Sequence, residues 1–460
     1  MTVHKILSSS FRDPSGFLFY YEGCLYRQIN SDYQSEYDFL INSGLYKALV
    51  DKKLLIPHIE VDIPPSDVEK SYKIIKPEKI PFISYPYEWS FSQLKNAAKV
   101  TLEIQKIAMT FDMTLKDCSA YNVQFWNGKP LLIDSLSFEK YHEGQIWHAY
   151  KQFCQHFLAP LSLMSYKDIR LGQLLRIYID GIPLDLTSKL LPTKTKTMFS
   201  LLSHIHAHAK SQKHFENKEN KFKTRKMSKN SFVGIIESVQ SAINKLNWSP
   251  KGTEWAEYYS DTNYTESAFN EKKNIVMKFL NRTKPKIVWD LGANTGIFSR
   301  IACENGIETI SFDVDPAAVE KNYLNCIDNH ETKLLPLLMD LTNPSSNLGW
   351  ENNERMSFME RGKADAVFAL ALIHHLAISN NVPFYRLAKF FKNICKYLLI
   401  EFIPKSDSQV KRLLSTRKDI FPEYTKENFE SEFKKYFLID ETVKITDSER
   451  FIYIMKRKND

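Results

Sequence analysis

The chain lacks paired cysteines. Six are spread along its 460 residues, at Cys24, Cys118, Cys154, Cys303, Cys326 and Cys395, with no CxxC spacing, so neither a thiolate metal site nor a disulfide framework is indicated. They read as reduced, mostly buried thiols. No stretch approaches about 20 uninterrupted apolar residues, and the N-terminus has no apolar run of signal-peptide length. A soluble, cytoplasmic protein without membrane insertion is expected. Charge of one sign is not in great excess either: 62 Lys and Arg against 54 Asp and Glu leave +8. No internal repeat stands out. What is present is apolar, 43% hydrophobic and 13% aromatic, enough for two domains of the usual about 100 to 200 residues with room for a third.

Part of the positive excess sits in KSQKHFENKENKFKTRKMSK, residues 210–229, with eight Lys or Arg, two Glu and no apolar periodicity. Like charges repel and stay hydrated, so this reads as a solvated linker. The competing reading, a phosphate-binding strip for nucleic acid or anionic lipid, has only Phe215 and Phe222 as stacking aromatics. The linker divides an α+β domain over 1–209 from a second domain over 230–460.

In the second domain apolar strands alternate with helices. KIVWDL, TISFDV, LLPLLMD, ADAVFALAL and YLLIEFI are the strands, and GIFSRIACEN, PAAVEKNYLNCI and VPFYRLAKFFKNICK are helical. That alternation predicts an α/β domain, a mostly parallel sheet covered on both faces. Ligands of such sheets sit at the carboxyl ends of the strands, which directs attention to VWDLGANTGIFSR, residues 288–300. Gly292 and Gly296 let backbone approach a ligand closely, and Asn294, next to Ala293 in that turn, tolerates a left-handed conformation. Asp290 ends the first strand. Asp313 ends the second, where an acid accepts hydrogen bonds from ribose hydroxyls, and Asp340 ends the third, where an acid takes an adenine amino proton.

The turn also lacks GxGxxG, the pattern that presents a helix N-terminus to a pyrophosphate. It carries GxxxG preceded by an acid, which suits a cationic amino acid and a sulfonium. This pattern resembles the class I S-adenosylmethionine-dependent methyltransferases, with Asn294 standing where many members have glycine. The resemblance implies a Rossmann-like, seven-stranded sheet and S-adenosyl-L-methionine as cofactor. TNYTESAFNEKKNIV, LGANTGIFSR, ALALIHHLAISNNVPF and LLIEFIPKSDSQVKRLLSTRKDIF are further similar to a bacterial methyltransferase family that includes the nodulation protein NoeA.

Candidate catalytic residues follow the fourth and fifth strands. His374 or His375 could take a proton from an acceptor hydroxyl or amine, since imidazole titrates near neutrality, or both could be positional. Glu401 could touch the acceptor or orient a histidine. Tyr259 and Tyr264 could close over the ligands or simply pack. No metal is called for.

The first domain carries MTLKDCSAYNVQFWNGKPLLIDSLSFE, in which Asp117 is followed by Asn122 and, after a hairpin turned at Asn-Gly, by Asp134. This is similar to the catalytic region of kinase-like folds. The resemblance implies Asp117 as the hydroxyl-orienting acid, with Asn122 and Asp134 as metal ligands for ATP and magnesium. No Gly-rich loop is present, Arg27 stands where a lysine is expected, and Glu36 is the candidate ion-pair acid. The plainer alternative is an acceptor-binding domain whose DxxxxN loop merely turns. Three functions remain open on the sequence: a methyltransferase, a bifunctional kinase-methyltransferase, and an S-adenosylmethionine-binding sensor without turnover. The fourth strand is not followed by Asn/Asp-Pro-Pro-aromatic, which tilts the acceptor from a nucleobase toward a small molecule or glycan.

Overall fold

A computed structural model describes residues 4–208, 226–253, 265–415 and 418–459. The chain divides into two compact units, Met1–Ser249 with Asn347–Arg355, and Pro250–Ser346 with Met356–Asp460. None of the described helices is long and apolar enough to cross a membrane.

In the first unit, β1 (Lys5–Ile6), β2 (Gly16–Tyr21), β3 (Cys24–Asn30), β4 (His58–Val61) and β5 (Ser71–Pro77) form an antiparallel sheet in the order β1-β2-β3-β5-β4. Glu22 and Gly23, both at positive φ, make the two-residue turn that pairs Tyr21 with Cys24. Helix α1 (Gln34–Asn42) follows β3 and stops just before Gly44, which takes φ +86°. Helix α2 (Phe91–Thr110) is long and well begun: Ser90 and Gln93 exchange hydrogen bonds in a capping box. It leads to β6 (Met113–Leu115), the loop with Asp117, a hairpin of β7 (Val123–Trp126) and β8 (Lys129–Leu132), and β9 (Phe138–Lys140), which pairs with β6. The loop with Asp117 and the hairpin after it stand in the order the kinase-like resemblance implies.

The domain boundary needs correction. Helix α3 (Lys229–Lys245), expected to open the second domain, belongs to the first. Its buried Phe232, Ile236, Val239 and Ile243 recur at helical spacing, and Phe232 packs on Tyr141 and Trp147 of the first unit. The basic segment before it lies outside the described residues up to position 225, so its linker role stays an expectation.

The second unit holds a seven-stranded sheet. Its strands are β10 (Ile287–Leu291), β11 (Glu308–Asp313), β12 (Leu334–Leu338), β13 (Ala364–Ala369), β14 (Cys395–Phe402), β15 (Phe437–Lys444) and β16 (Phe451–Arg457). The order is β12-β11-β10-β13-β14-β16-β15, parallel except for β16, which runs antiparallel to both neighbours. Helices α4 (Glu266–Thr283), α5 (Ile297–Glu304), α6 (Pro316–Asp328) and α7 (Phe384–Ile394) provide the layers. Successive residues of β10 point to opposite faces: Val288 joins Ile275, Val276 and Phe279 of α4, while Trp289 meets Phe312 and Phe358. Burial on both faces explains the unbroken apolar strands. The order reverses beside β10, between β11 and β13, and a crevice opens there at the carboxyl ends.

Candidate active site

A cavity of about 360 Å³ lies in that crevice, within the range of about 300 to 1,000 Å³ usual for small-molecule sites. Asp290, Gly292, Ala293, Asn294, Asp313, Asp340 and His375 all line it. Fold closure thus brings together residues up to 85 positions apart in sequence.

The turn after β10 is built by hydrogen bonds. Gly292 and Ala293 donate their amides to the Phe312 carbonyl at 2.9 and 3.0 Å, and Asn294, at φ +50°, donates its own to Asp313 Oδ2 at 2.7 Å. Asp313 Oδ1 accepts the amide of Asp315 at 2.9 Å. Gly292 stands at φ +75° beside the cavity, where an added Cβ would come 3.2 Å from Leu372 Cδ1. Gly296 has a different reason to be glycine. It does not line the cavity; at φ +79° it caps α5, and a Cβ there would fall 2.6 Å from the Asn322 side chain on α6.

Of the three acids lining the crevice, the two buried ones are held toward their protonated forms. Burial pushes Asp290 up to about 7, with the charge of Asp313 adding to the effect and the 2.6 Å hydrogen bond from Ser299 Oγ opposing it. Burial raises Asp313 to about 6 against the pull of its amide donors. Asp340 lies two residues past the end of β12, exposed, with Oδ1 accepting the Thr342 amide and hydroxyl at 2.8 and 2.6 Å.

Two of the expected catalytic side chains stand away from the cavity. His374 is buried behind it, its ring 4.1 Å from that of His375, and Glu401 is fully buried at the end of β14. Neither histidine titrates near neutrality, contrary to the sequence expectation. Burial lowers His375 to about 4 and His374 well below its ordinary value, because the cationic forms lose their hydration. Tyr259 and Tyr264 lie outside the described residues.

Sequence reasoning missed Lys272. Its Nζ reaches Glu401 Oε2 at 2.7 Å, sits 4.8 Å from the centre of the Phe298 ring and lines the cavity, although the side chain is 2% exposed. The signal was available: Lys272 falls on the same helical stripe as Ile275, Val276 and Phe279, where a lysine is out of place unless paired.

In the first unit the residues of the kinase-like resemblance do converge. Asn122 bonds Asp117 and Ser137, and Asp134 accepts from Ser137 Oγ at 2.8 Å and the Leu136 amide at 2.9 Å. Arg27, however, pairs with Asp134 at 2.5 Å and with Asp13 at 3.7 Å, and Glu36 is not its partner. The guanidinium, with these hydrogen bonds, holds the Asp134 carboxyl below its ordinary range even though burial opposes it. Among the described residues no group of three or more His, Cys, Asp or Glu is placed to hold a metal ion.

The nodulation protein NoeA of Rhizobium meliloti (strain 1021) is 34% identical to this chain over 466 aligned positions, covering 98% of this chain and 96% of NoeA. The chain belongs to the NoeA family. No family model matches it. Among solved structures, the magnesium protoporphyrin IX methyltransferase of Synechocystis PCC 6803 with bound SAH overlaps at a TM-score of 0.32, with 16% identity over 44% of this chain and 93% of that one. The N-methyltransferase NodS of Bradyrhizobium japonicum WM9 gives 0.31, with 10% identity over 42% and 98%. The bifunctional kinase-methyltransferase WbdD gives 0.32, with 13% identity over 44% and 42%. With its strand order, its glycine turn and its acids at the strand ends, the second unit of this NoeA-family chain has the seven-stranded, Rossmann-like fold of the class I methyltransferases.

Proposed function

We propose that this chain is an S-adenosylmethionine-dependent methyltransferase acting on a hydroxyl or amine of a small molecule or glycan, and that the first unit contributes to recognising it. The observation that carries the donor side is the pair Asp290 and Asp313, two carboxyls brought together in one cavity and raised by their burial there, so that each ionises more readily beside a bound cation. A cationic ligand displaces the protons. In this reading Asp290 meets the donor's ammonium and sulfonium end, Lys272 its carboxylate, Asp313 the ribose hydroxyls and Asp340 the adenine amino group. Gly292, Ala293 and Asn294 give it backbone to rest on. Bound there, S-adenosylmethionine supplies an electrophilic methyl group on a positive sulfur.

The chain's own contribution to transfer is alignment, because a methyl group moves in line between donor and acceptor. His375 is unprotonated at neutral pH and lines the same cavity, so its imidazole can accept the acceptor's hydrogen bond and its proton. Leu370, Leu372 and Leu376 add an apolar stretch of wall, with Thr342, Ser379 and Asn380 beside it as polar groups. Phosphoryl transfer from ATP and magnesium is no part of this reading, since Arg27 already neutralises Asp134, the carboxylate that would hold the metal.

Calorimetric titration with S-adenosylmethionine tests the donor side: Asp290→Ala and Gly292→Val should lose binding with the fold retained, and unaltered binding in both would sink the assignment. Incubation of the full chain with methyl-labelled donor and a size-fractionated cell extract tests the acceptor. Label in the small-molecule or glycan fraction supports the proposal; label confined to nucleic acid, or binding without transfer to any fraction, rejects it.

A further inference from the structure

Glu401 lies outside the cavity lining, yet its Oε2 accepts two hydrogen bonds of equal length from residues inside it. One comes from Lys272 Nζ at 2.7 Å, the other from the backbone amide of Ala371 at 2.7 Å. Lys272 stands on α4, and Ala371 opens the loop after β13 that carries His375. Ala371 is held at φ +52°, a left-handed conformation that a residue with a Cβ keeps only when its surroundings impose it. Glu401 cannot swing away to relax that turn. Its Oε1 faces Arg450 at 3.7 Å, and Arg450 is itself fixed by Asp407 at 2.8 Å.

We propose that Glu401 is a positioning residue that couples ligand contact at Lys272 to the turn at Ala371, and so sets where His375 stands once the donor is bound. The coupling rests on the donor reading above. A ligand carboxylate drawn to Lys272 shares the ammonium's protons with Glu401, the bond from Lys272 to Oε2 weakens, and that oxygen is left to the Ala371 amide. The amide bond shortens and the acceptor loop tightens after the donor arrives.

The experiment uses the full chain labelled with nitrogen-15 alanine, in which the Ala371 amide is the cross-peak lost from Ala371→Gly. Saturating S-adenosylmethionine should move the Ala371 amide proton downfield and slow its exchange. In Lys272→Met the proton should lie downfield before any donor is added and should not move on saturation. In Glu401→Gln it should lie upfield and exchange at least about tenfold faster, since the bond to a charged oxygen is gone. Calorimetry on the same samples separates the two ideas. Donor binding with an unmoved Ala371 signal overturns the coupling and leaves the donor reading standing, whereas no donor binding at all removes both. If Glu401→Gln does not fold, the wild-type titration and Lys272→Met decide alone, and a donor-induced shift that persists in Lys272→Met overturns the proposal.

Discussion

Replacing Asp290 with Asn tests the electrostatics of the donor crevice in both directions. Asn keeps the size of the side chain and an oxygen for the Ser299 hydroxyl, but it cannot ionise. In the wild type the folded-state pKa is about 7, and an unfolded aspartate titrates near about 3.9. The folded chain therefore holds the proton more tightly than the unfolded chain. That contribution to stability is fully present below about pH 4 and is lost as pH rises through 7. From pH 5.5 to 7.5 the loss spans roughly 1.5 pKa units, or about 2 kcal/mol at 1.36 kcal/mol per unit. For a unit of about 200 residues this lowers the unfolding midpoint by about 4 to 8 °C. The difference in midpoint between wild type and Asp290→Asn, scanned at several pH values without donor, should change by that amount. Affinity for S-adenosylmethionine should run the opposite way, weakening at least about 20-fold from pH 7.5 to 5.5 in the wild type as protons compete with the cation, and weakening clearly less in Asp290→Asn, where only Asp313, at about 6, still titrates. A midpoint difference that does not change with pH, or a wild-type affinity that does not, would refute the argument that Asp290 waits protonated for a cation.

Three further outcomes are expected. Gly296→Ala should lower the stability of the second unit by about 1 to 2 kcal/mol for the left-handed backbone and somewhat more for displacing Asn322, visible as a fall in its melting transition, with donor affinity affected less than by Gly292→Val. Phe232→Ala should cost about 3 to 5 kcal/mol in the first unit, because its ring packs on Tyr141 and Trp147, while calorimetric donor affinity stays within about twofold; weakened donor binding would show that α3 serves the second unit after all. Arg27→Met should destabilise the first unit by about 2 to 4 kcal/mol in denaturant unfolding by leaving the largely buried Asp134 uncompensated, and Asp134→Asn should cost distinctly less if the charge is what matters.

The turn and the acids of the crevice were legible in the sequence because each of these parts is a local rule. A strand ending in Asp290, a turn that demands positive φ at Gly292 and Asn294, and an acid about twenty positions later at Asp313 can each be read within a few residues. The same holds for the alternation of apolar strands and helices that specifies a parallel sheet, and for the DxxxxN loop and Asn-Gly hairpin of the first unit. What the sequence could not settle depends on which surfaces meet. Whether Gly296 faces a ligand or Asn322 is decided by how α5 packs on α6. Histidines that titrate near neutrality in water fall well below it only because the fold removes their hydration. Helix α3 has an apolar stripe that either neighbouring domain could have covered, and the aromatic cluster at Tyr141 and Trp147 takes it. Lys272, Glu401 and Ala371 meet from three elements separated by 99 and 30 residues, and no local pattern carries that meeting. The sequence by itself determined the elements, their capping and the acid-lined turn, because these depend on backbone propensity and spacing; the tertiary structure decided which charges are buried together, because burial and pairing exist only once distant elements have packed.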